Sequence, residues 1–173
     1  KEASRLVNLI EDIIRLSQLD EGVELPTEAV DMLAMAEDVK EILAPSAAEK
    51  HVKIDVTGNG FMINGVRRML QEIIYNLCDN AVKYNVPGGS VAIHVENNRL
   101  VVRDTGIGIP AEHKDRIFER FYRVDKSHSK ASGGTGLGLS IVKHAAAYHK
   151  AEIHLESTPG KGTTITVQFD TGA

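Results

Sequence analysis

The stretch SGGTGLGLSIVKH, residues 132–144, is the feature that most constrains this chain, because a glycine cluster runs directly into a segment with helical periodicity. Four glycines lie between Gly133 and Gly138. A helix that begins on such a cluster exposes unpaired backbone N–H groups at its positive end, and this end can bind an anion such as a phosphate. The sequence therefore predicts a helix over 137–149 whose N-terminus faces a phosphate group.

Two common phosphate-binding motifs do not match the chain. No G-x-x-x-x-G-K-[ST] sequence occurs, and GKGTT at 160–164 lies between two predicted strands with no helix after it. Gly134, Gly136 and Gly138 are spaced G-x-G-x-G, and Ile141 stands where a dinucleotide-binding fingerprint needs its final glycine. The glycine cluster thus predicts a phosphate site of another kind.

Composition argues against several functional classes. The net charge is −4, from 20 basic and 24 acidic residues, so no basic excess exists to neutralise the phosphates of a nucleic acid. No apolar run approaches the ~18 residues of a membrane span. The lone Cys78 excludes an internal disulfide and fits a reducing compartment. With 42% hydrophobic residues the chain can form a sizeable core.

Periodicity predicts an α+β fold, a two-layer α/β sandwich in which helices cover one face of a sheet of about five strands. Alternating residues predict strands, and Asn97–Asn98 predicts a tight hairpin turn between two of them. Asn64 is the predicted N-cap of the long second helix. The predicted elements are a helix over 30–50, a strand over 51–60, a helix over 65–84, a hairpin over 90–104 and a final hairpin around 159–162.

Residues 2–20 predict one amphipathic helix outside this sandwich. Leu6, Leu9, Ile13 and Leu16 form a short heptad seam that is expected to pack against another helix, from a second chain or from an upstream segment. An ordinary helix lying on the following domain is the alternative. Because the chain starts without Met and already in helical period, we expect it to be a piece of a longer protein.

The segment NLCDNAVKYN, residues 76–85, places an unusual polar stripe on one helix face. Asn76, Asn80, Lys83 and Tyr84 are spaced i, i+4, i+7 and i+8. A carboxamide oxygen is a suitable ligand for Mg²⁺, and an ammonium group is a counter-charge for phosphate. The alternative is a solvated helix face.

The segment DTGIGIP, residues 104–110, directly follows a predicted strand. Asp104 is placed to accept a hydrogen bond from an amino group, and Gly106 and Gly108 would let a flat ring approach the backbone. The alternative is a plain turn that begins at Asp104. Residues 122–135 are polar and rich in Gly and Ser, which predicts a mobile loop.

In this order the stretches resemble the catalytic and ATP-binding domain of sensor histidine kinases of the PhoR and WalK class, within the superfamily of gyrase, chaperone, kinase and MutL ATPases. The matching segments are an N box at Asn76–Asn85, a G1 box at Asp104–Ile109, an F box at Phe118–Arg123, a G2 box at Gly134–Gly138 and a G-T pair at Gly162–Thr163. Residues 1–22 resemble the second helix of the dimerisation and phosphotransfer domain, and residues 23–173 the catalytic domain.

The resemblance implies a role for each matching position. Asn80 would bind Mg²⁺ and Asn76 would support the metal and the phosphates. Lys83 would contact phosphate, and Arg123 would lie near the phosphates. Asn76, Lys83 and Arg123 are the candidate catalytic residues. On the base side, Asp104 would accept the adenine amino group, helped by Thr163 through water, with Tyr84, Gly106, Gly108 and Ile109 near the ring. Residues 122–135 would be an ATP lid, which passes into the helix through Gly134, Thr135, Gly136, Leu137 and Gly138.

Two positions depart from the family pattern. Hydrolysing relatives carry a Glu four residues before the metal-binding Asn, whereas this chain has Asn76, which cannot act as a general base, and Glu72 lies a turn further away. This departure favours phosphate transfer to a protein over rapid hydrolysis. Lys150 takes the place of a glycine in YHKAE, so the turn there is expected to differ.

The implied function is that of a protein-histidine kinase. The domain would donate the γ-phosphate of ATP to a histidine upstream of Lys1, from which it would pass to an Asp of a response regulator. None of the seven histidines lies in residues 1–50, so we expect no self-phosphorylation. The implied partners are the response regulator, the chain's own dimerisation and phosphotransfer domain and a second copy in a homodimer, with neither nucleic acid nor membrane contacted. The implied location is the cytoplasmic part of a membrane-anchored sensor.

Two other functions fit the same fold. A serine kinase of the anti-sigma type is disfavoured by the helix over residues 1–20. An ATP-sensing or dimerisation module whose kinase activity has decayed is disfavoured by the presence of Asn80, Asp104 and the glycines.

Overall fold

The computed structural model describes residues 9–10, 25–114, 116–119 and 138–169. Its elements are β1 (Glu28–Asp31), α1 (Met32–Glu49), β2 (Lys53–Gly60), β3 (Met62–Gly65), α2 (Arg67–Lys83), β4 (Ser90–Glu96), β5 (Arg99–Asp104), a 3₁₀ turn (Ala111–His113), α3 (Gly138–Tyr148), β6 (Glu152–Thr158) and β7 (Gly162–Gln168). Of the predicted helix over 2–20, only residues 9–10 lie in this part of the chain, and both are helical.

Five strands form one mixed sheet in the order β2-β4-β5-β7-β6. The β2–β4 pair is parallel, and the other three pairs are antiparallel. Burial alternates along β4, where Val91, Ile93 and Val95 are buried while Ala92 and His94 are exposed. One face of the sheet therefore carries the helices and the other faces solvent, which confirms the predicted two-layer sandwich.

Both predicted hairpins are present. Asn97 and Asn98 have φ values of 53° and 60°, the left-handed pair that a two-residue type I′ turn requires. The β6–β7 hairpin turns through Gly160, with φ 81°. Lys150, just after α3, also has a positive φ of 57°, so the lysine adopts the backbone conformation that glycine would favour at the end of a helix.

The start of the second helix differs from the prediction. Asn64 does not cap it, because Asn64 lies in β3 and pairs with Ala29 of β1 in a small separate sheet. The helix α2 begins at Arg67, and its N-cap residue Val66 makes no side-chain cap bond. The N–H of Val66 instead donates to Nε2 of His149, at 3.0 Å. The residue directly after α3 thus accepts a hydrogen bond from the N-cap residue of α2.

The core lies between the sheet and the helices. The long helix α2 contributes its apolar side, whose buried residues are Met69, Leu70, Ile73, Ile74, Leu77, Cys78, Ala81 and Val82. Because this side faces the core, the stripe of Asn76, Asn80 and Lys83 lies along the border between the buried and the exposed side of α2. These three side chains are half-buried. Within the described residues, no helix combines the length and the apolar composition needed to cross a membrane.

Candidate nucleotide-binding site

Asp104 ends β5 with its carboxylate held in one orientation. Its Oδ1 accepts two backbone hydrogen bonds, from the N–H of Gly106 at 2.8 Å and from the N–H of Thr163 at 3.1 Å. The Oδ2 atom receives no hydrogen bond from any other residue in the described ranges. The carboxylate therefore presents one oriented acceptor to a ligand, and a ligand amino group is a suitable donor for it.

Electrostatics at Asp104 favour such a donor. Burial raises the pKa of the Asp104 carboxyl above its ordinary value, and the two backbone hydrogen bonds from Gly106 and Thr163 oppose that rise. A partly buried carboxylate that lacks part of its hydration gains from a further hydrogen bond. A ligand donor at Oδ2 would supply it.

The glycines after Asp104 have a structural reason that involves no ligand. A Cβ on Gly106 would lie 2.4 Å from the carbonyl oxygen of Tyr84. A Cβ on Gly108, whose φ is 75°, would lie 2.2 Å from the carbonyl oxygen of Thr158. Both positions therefore need glycine because the backbone packs closely against the end of α2 and the end of β6. Whether the two glycines also line a base stays a prediction.

The sequence did not predict the pair of hydroxyl groups, on Ser157 and Thr163, beside the segment that follows Asp104. Ser157 Oγ accepts the N–H of Ile109 at 2.7 Å and lies 2.8 Å from the hydroxyl of Thr163. Thr163 thus contacts Asp104 directly through its backbone and Ser157 through its side chain. The only signal in the sequence is a serine at an inward position of a predicted strand, which does not reveal its partners.

A second buried network, also missed, ties the end of α2 to the sheet. Asn85 is buried, and its Nδ2 donates to the carbonyl of Ser90 at 2.9 Å. Its Oδ1 accepts the hydroxyl of Thr105 at 3.1 Å and the N–H of Val86 at 2.8 Å. Asn85 belongs to the segment 76–85 but has a structural role here, since its amide fixes the loop between α2 and β4.

The start of α3 lies against the polar stripe of α2. A Cβ on Gly138, the first residue of α3, would lie 3.0 Å from Oδ1 of Asn76. The Asn76 Nδ2 donates to the carbonyl of Glu72 at 2.7 Å, which directs the amide oxygen away from that bond. The structure therefore brings together the helix N-terminus predicted to bind phosphate and the asparagine predicted to support it.

The end of α2 joins its polar stripe to the segment that follows Asp104. Lys83 Nζ lies 2.8 Å from Oδ2 of Asp79, one turn earlier in the same helix. Tyr84 follows Lys83 with an exposed side chain, and its carbonyl accepts the N–H of Ile107 at 3.1 Å. The helix bearing Asn76 and Lys83 is thus joined directly to the segment that follows Asp104. Arg123, Gly134, Thr135, Gly136 and Leu137 lie outside the described residues.

Comparison with known proteins identifies the family. Residues 65–173 match the family of the histidine kinase-, DNA gyrase B- and HSP90-like ATPases. The chain therefore belongs to this ATPase family.

Its relatives are sensor histidine kinases. The chain is 39% identical to the sensor-like histidine kinase SenX3 of Mycolicibacterium smegmatis over 97% of its own length and 45% of the relative. It is 38% identical to the phosphate regulon sensor protein PhoR of Pseudomonas aeruginosa over 98% of its length and 40% of the relative. The chain thus spans less than half of these relatives, and it falls in the sensor histidine kinase branch of the family.

Solved histidine kinase structures share the fold. Full-length ShkA in complex with AMPPNP matches with a TM-score of 0.81 and 27% identity, covering 99% of this chain and 38% of that one. The mycobacterial sensor histidine kinase MprB matches with a TM-score of 0.69 and 28% identity, covering 81% of this chain and 94% of that one. The predicted fold and family are both confirmed.

Proposed function

We propose that this domain binds Mg²⁺ and ATP and donates the γ-phosphate to a histidine on another segment of the parent protein, from which it passes to an aspartate of a response regulator. One observation carries the proposal. Asp104 presents an oriented carboxylate oxygen beside the C-terminal end of α2, which the Tyr84–Ile107 hydrogen bond joins to the segment after β5. The N-terminus of α3 lies against Asn76, further towards the start of the same helix. This arrangement suits a ligand with an amino-bearing base at one end and phosphates at the other.

The residues present fit such a ligand. Asp104 would accept the amino group of adenine through Oδ2, and the first N–H groups of α3, starting at Gly138, would face the phosphates. Lys83 would supply a positive charge, and the carboxamide of Asn80 would hold Mg²⁺, with Asn76 supporting both. When bound, ATP supplies the phosphoryl group that is transferred; the domain positions it and balances its charge.

The nature of residue 76 favours transfer over hydrolysis. A general base must accept a proton, and the amide of Asn76, bonded to the carbonyl of Glu72, has no basic atom to do so. Water near the phosphates is therefore not activated by this position. The phosphoryl group then persists until an acceptor imidazole is positioned in line with it.

The remaining proposals concern the parent protein. Residues 1–22 would form the second helix of its dimerisation and phosphotransfer domain, and residues 23–173 the catalytic domain. The parent would act as a homodimer and a membrane-anchored sensor, with this domain on the cytoplasmic side. The names of the SenX3 and PhoR relatives support the sensor role of the parent. We propose no contact of this chain with nucleic acid or membrane.

The Asn80→Ala variant tests the metal side of the proposal. Calorimetric titration of the wild type with ATP should show tighter binding with Mg²⁺ than with a chelator. Asn80→Ala should reduce the increase in ATP affinity that Mg²⁺ causes by about ten- to hundredfold, the range for losing one contact to a charged group. The affinity for ATP without metal should stay unchanged.

The control variant is Asn59→Ala, which changes an exposed asparagine of β2 and should bind like the wild type. Equal Mg²⁺ dependence in Asn80→Ala and the wild type would rule out Asn80 as the metal ligand.

A further inference from the structure

We propose that Asp79 is a positioning residue that competes with the nucleotide phosphates for Lys83 and so sets the affinity of the site for phosphorylated nucleotides. The inference rests on the proposed function, since it assigns a control to the same site.

The contact that carries it is the ion pair within α2. Lys83 Nζ lies 2.8 Å from Asp79 Oδ2, four residues apart with the acidic residue first, the order that a helix favours. The side chains are only 29% and 16% exposed, so solvent screens this pair less than it screens a pair on an open surface. The pair therefore holds the lysine ammonium at a defined place.

Helix geometry puts this pair at the edge of the nucleotide face. Asp79 follows Asn76 by three residues and precedes Lys83 by four, so all three lie along one side of α2. Asn76 in turn contacts the start of α3, where the phosphates are proposed to bind. A phosphate that reaches Lys83 must draw the ammonium away from Asp79 or share it.

This competition lowers the affinity of the site for nucleotides that carry phosphates. Each phosphate contact made by Lys83 replaces or weakens an existing contact with the Asp79 carboxylate, so the net gain on binding is reduced. Adenosine, which has no phosphate, would not disturb the pair. Asp79 should therefore weaken binding of ADP and ATP and leave adenosine binding unchanged.

The test compares ADP and adenosine in the presence of a chelator, so that no metal ion contributes. ADP binding is measured by calorimetry and adenosine binding by NMR shift titration. Asp79→Asn, which keeps the side-chain shape and removes the charge, should tighten ADP binding about two- to fivefold, the worth of a partly exposed ion pair. Its adenosine affinity should equal that of the wild type, which also shows that the variant is folded.

A double-mutant cycle with Lys83→Gln separates competition from direct repulsion. The increase in ADP affinity caused by Asp79→Asn should be smaller in the Lys83→Gln background, because no ammonium is left for Asp79 and the phosphates to compete for. A gain that is equal or larger in the Lys83→Gln background would mean that Asp79 repels phosphate directly, and the inference would be wrong. The control Asp55→Asn removes an exposed charge of β2 by the same change and should leave both affinities unaltered.

The outcomes also separate the inference from the proposed function. A wild type that binds neither ADP nor adenosine would overturn the proposed function and the inference with it. A wild type that binds both, with unchanged or weaker ADP binding in Asp79→Asn, would overturn the inference alone.

Discussion

At the scale of single residues, Asp104 shows what a sequence reveals and what it hides. A carboxylate at the end of a predicted strand, followed by two glycines, fits a plain turn as well as a recognition site, and only the order of the motifs along the chain favours the second. The sequence does not show that the backbone N–H groups of Gly106 and Thr163 orient one oxygen and leave the other without a bond from the described residues. Ser157 stayed unpredicted because its partners lie 48 and 6 positions away along the chain.

The first prediction concerns the charge of Asp104. In Asp104→Asn, the amide oxygen can still accept the two backbone N–H groups, so the fold should persist. The amide nitrogen would then stand where Oδ2 was and present a donor to the adenine amino donor. Losing a hydrogen bond to a charged group costs about 1.5–3 kcal/mol, so ADP affinity measured by calorimetry should fall about ten- to hundredfold. Equal affinities of variant and wild type would refute the adenine assignment.

At the scale of elements, local patterns predicted local structure. The Asn97–Asn98 turn and the β6–β7 hairpin followed from residues adjacent in the chain. The small β1–β3 sheet did not, because its strands are four residues each and pair across the whole of α1 and β2. Asn64 looks like a helix cap in sequence, but that pairing draws it into a strand. Tertiary contacts therefore overrode the local capping preference.

The hydrogen bond between Val66, at the start of α2, and His149, just after α3, leads to a pH prediction. His149 accepts the Val66 N–H at Nε2, and its Nδ1 lies 2.7 Å from the carbonyl of Ala145, so the bonded ring is neutral with its proton on Nδ1. Burial lowers the pKa of His149 below 6.5, partly opposed by the bond to Ala145. Below pH 6.5 the unfolded chain then binds protons more readily than the folded chain, so the free energy of unfolding should fall as the pH drops.

Denaturant unfolding between pH 8 and pH 5 measures this effect. His149→Gln should flatten the decline relative to the wild type, because the variant has no imidazole at this position to protonate. The control His154→Gln changes an exposed histidine of β6 and should keep the wild-type decline. If the free energy of unfolding of His149→Gln falls with pH as steeply as that of the wild type, protonation of His149 does not cause the fall.

At the scale of the whole molecule, the layers place the site. The helices cover one face of the sheet, and α2 contributes its apolar side to the core. The end of α2 contacts the segment after β5 through Tyr84 and Ile107, and Asn76 lies against the start of α3. The order of motifs along the chain was enough to predict this family and fold. The segments from Arg123 to Leu137 lie outside the described residues, so their predicted phosphate contacts stay predictions.

The central claim is that this domain donates phosphate to a histidine carried elsewhere. The most direct measurement is incubation with γ-labelled ATP, with and without a separately produced helical domain that carries an acceptor histidine. Transfer requires an acceptor nitrogen in line with the γ-phosphate, and positioning supplies most of the rate. We predict acid-labile label on the added domain, none on this chain, and no transfer with Asn80→Ala. Acid-labile label on this chain alone would show that one of its own seven histidines is the acceptor, and would contradict the account.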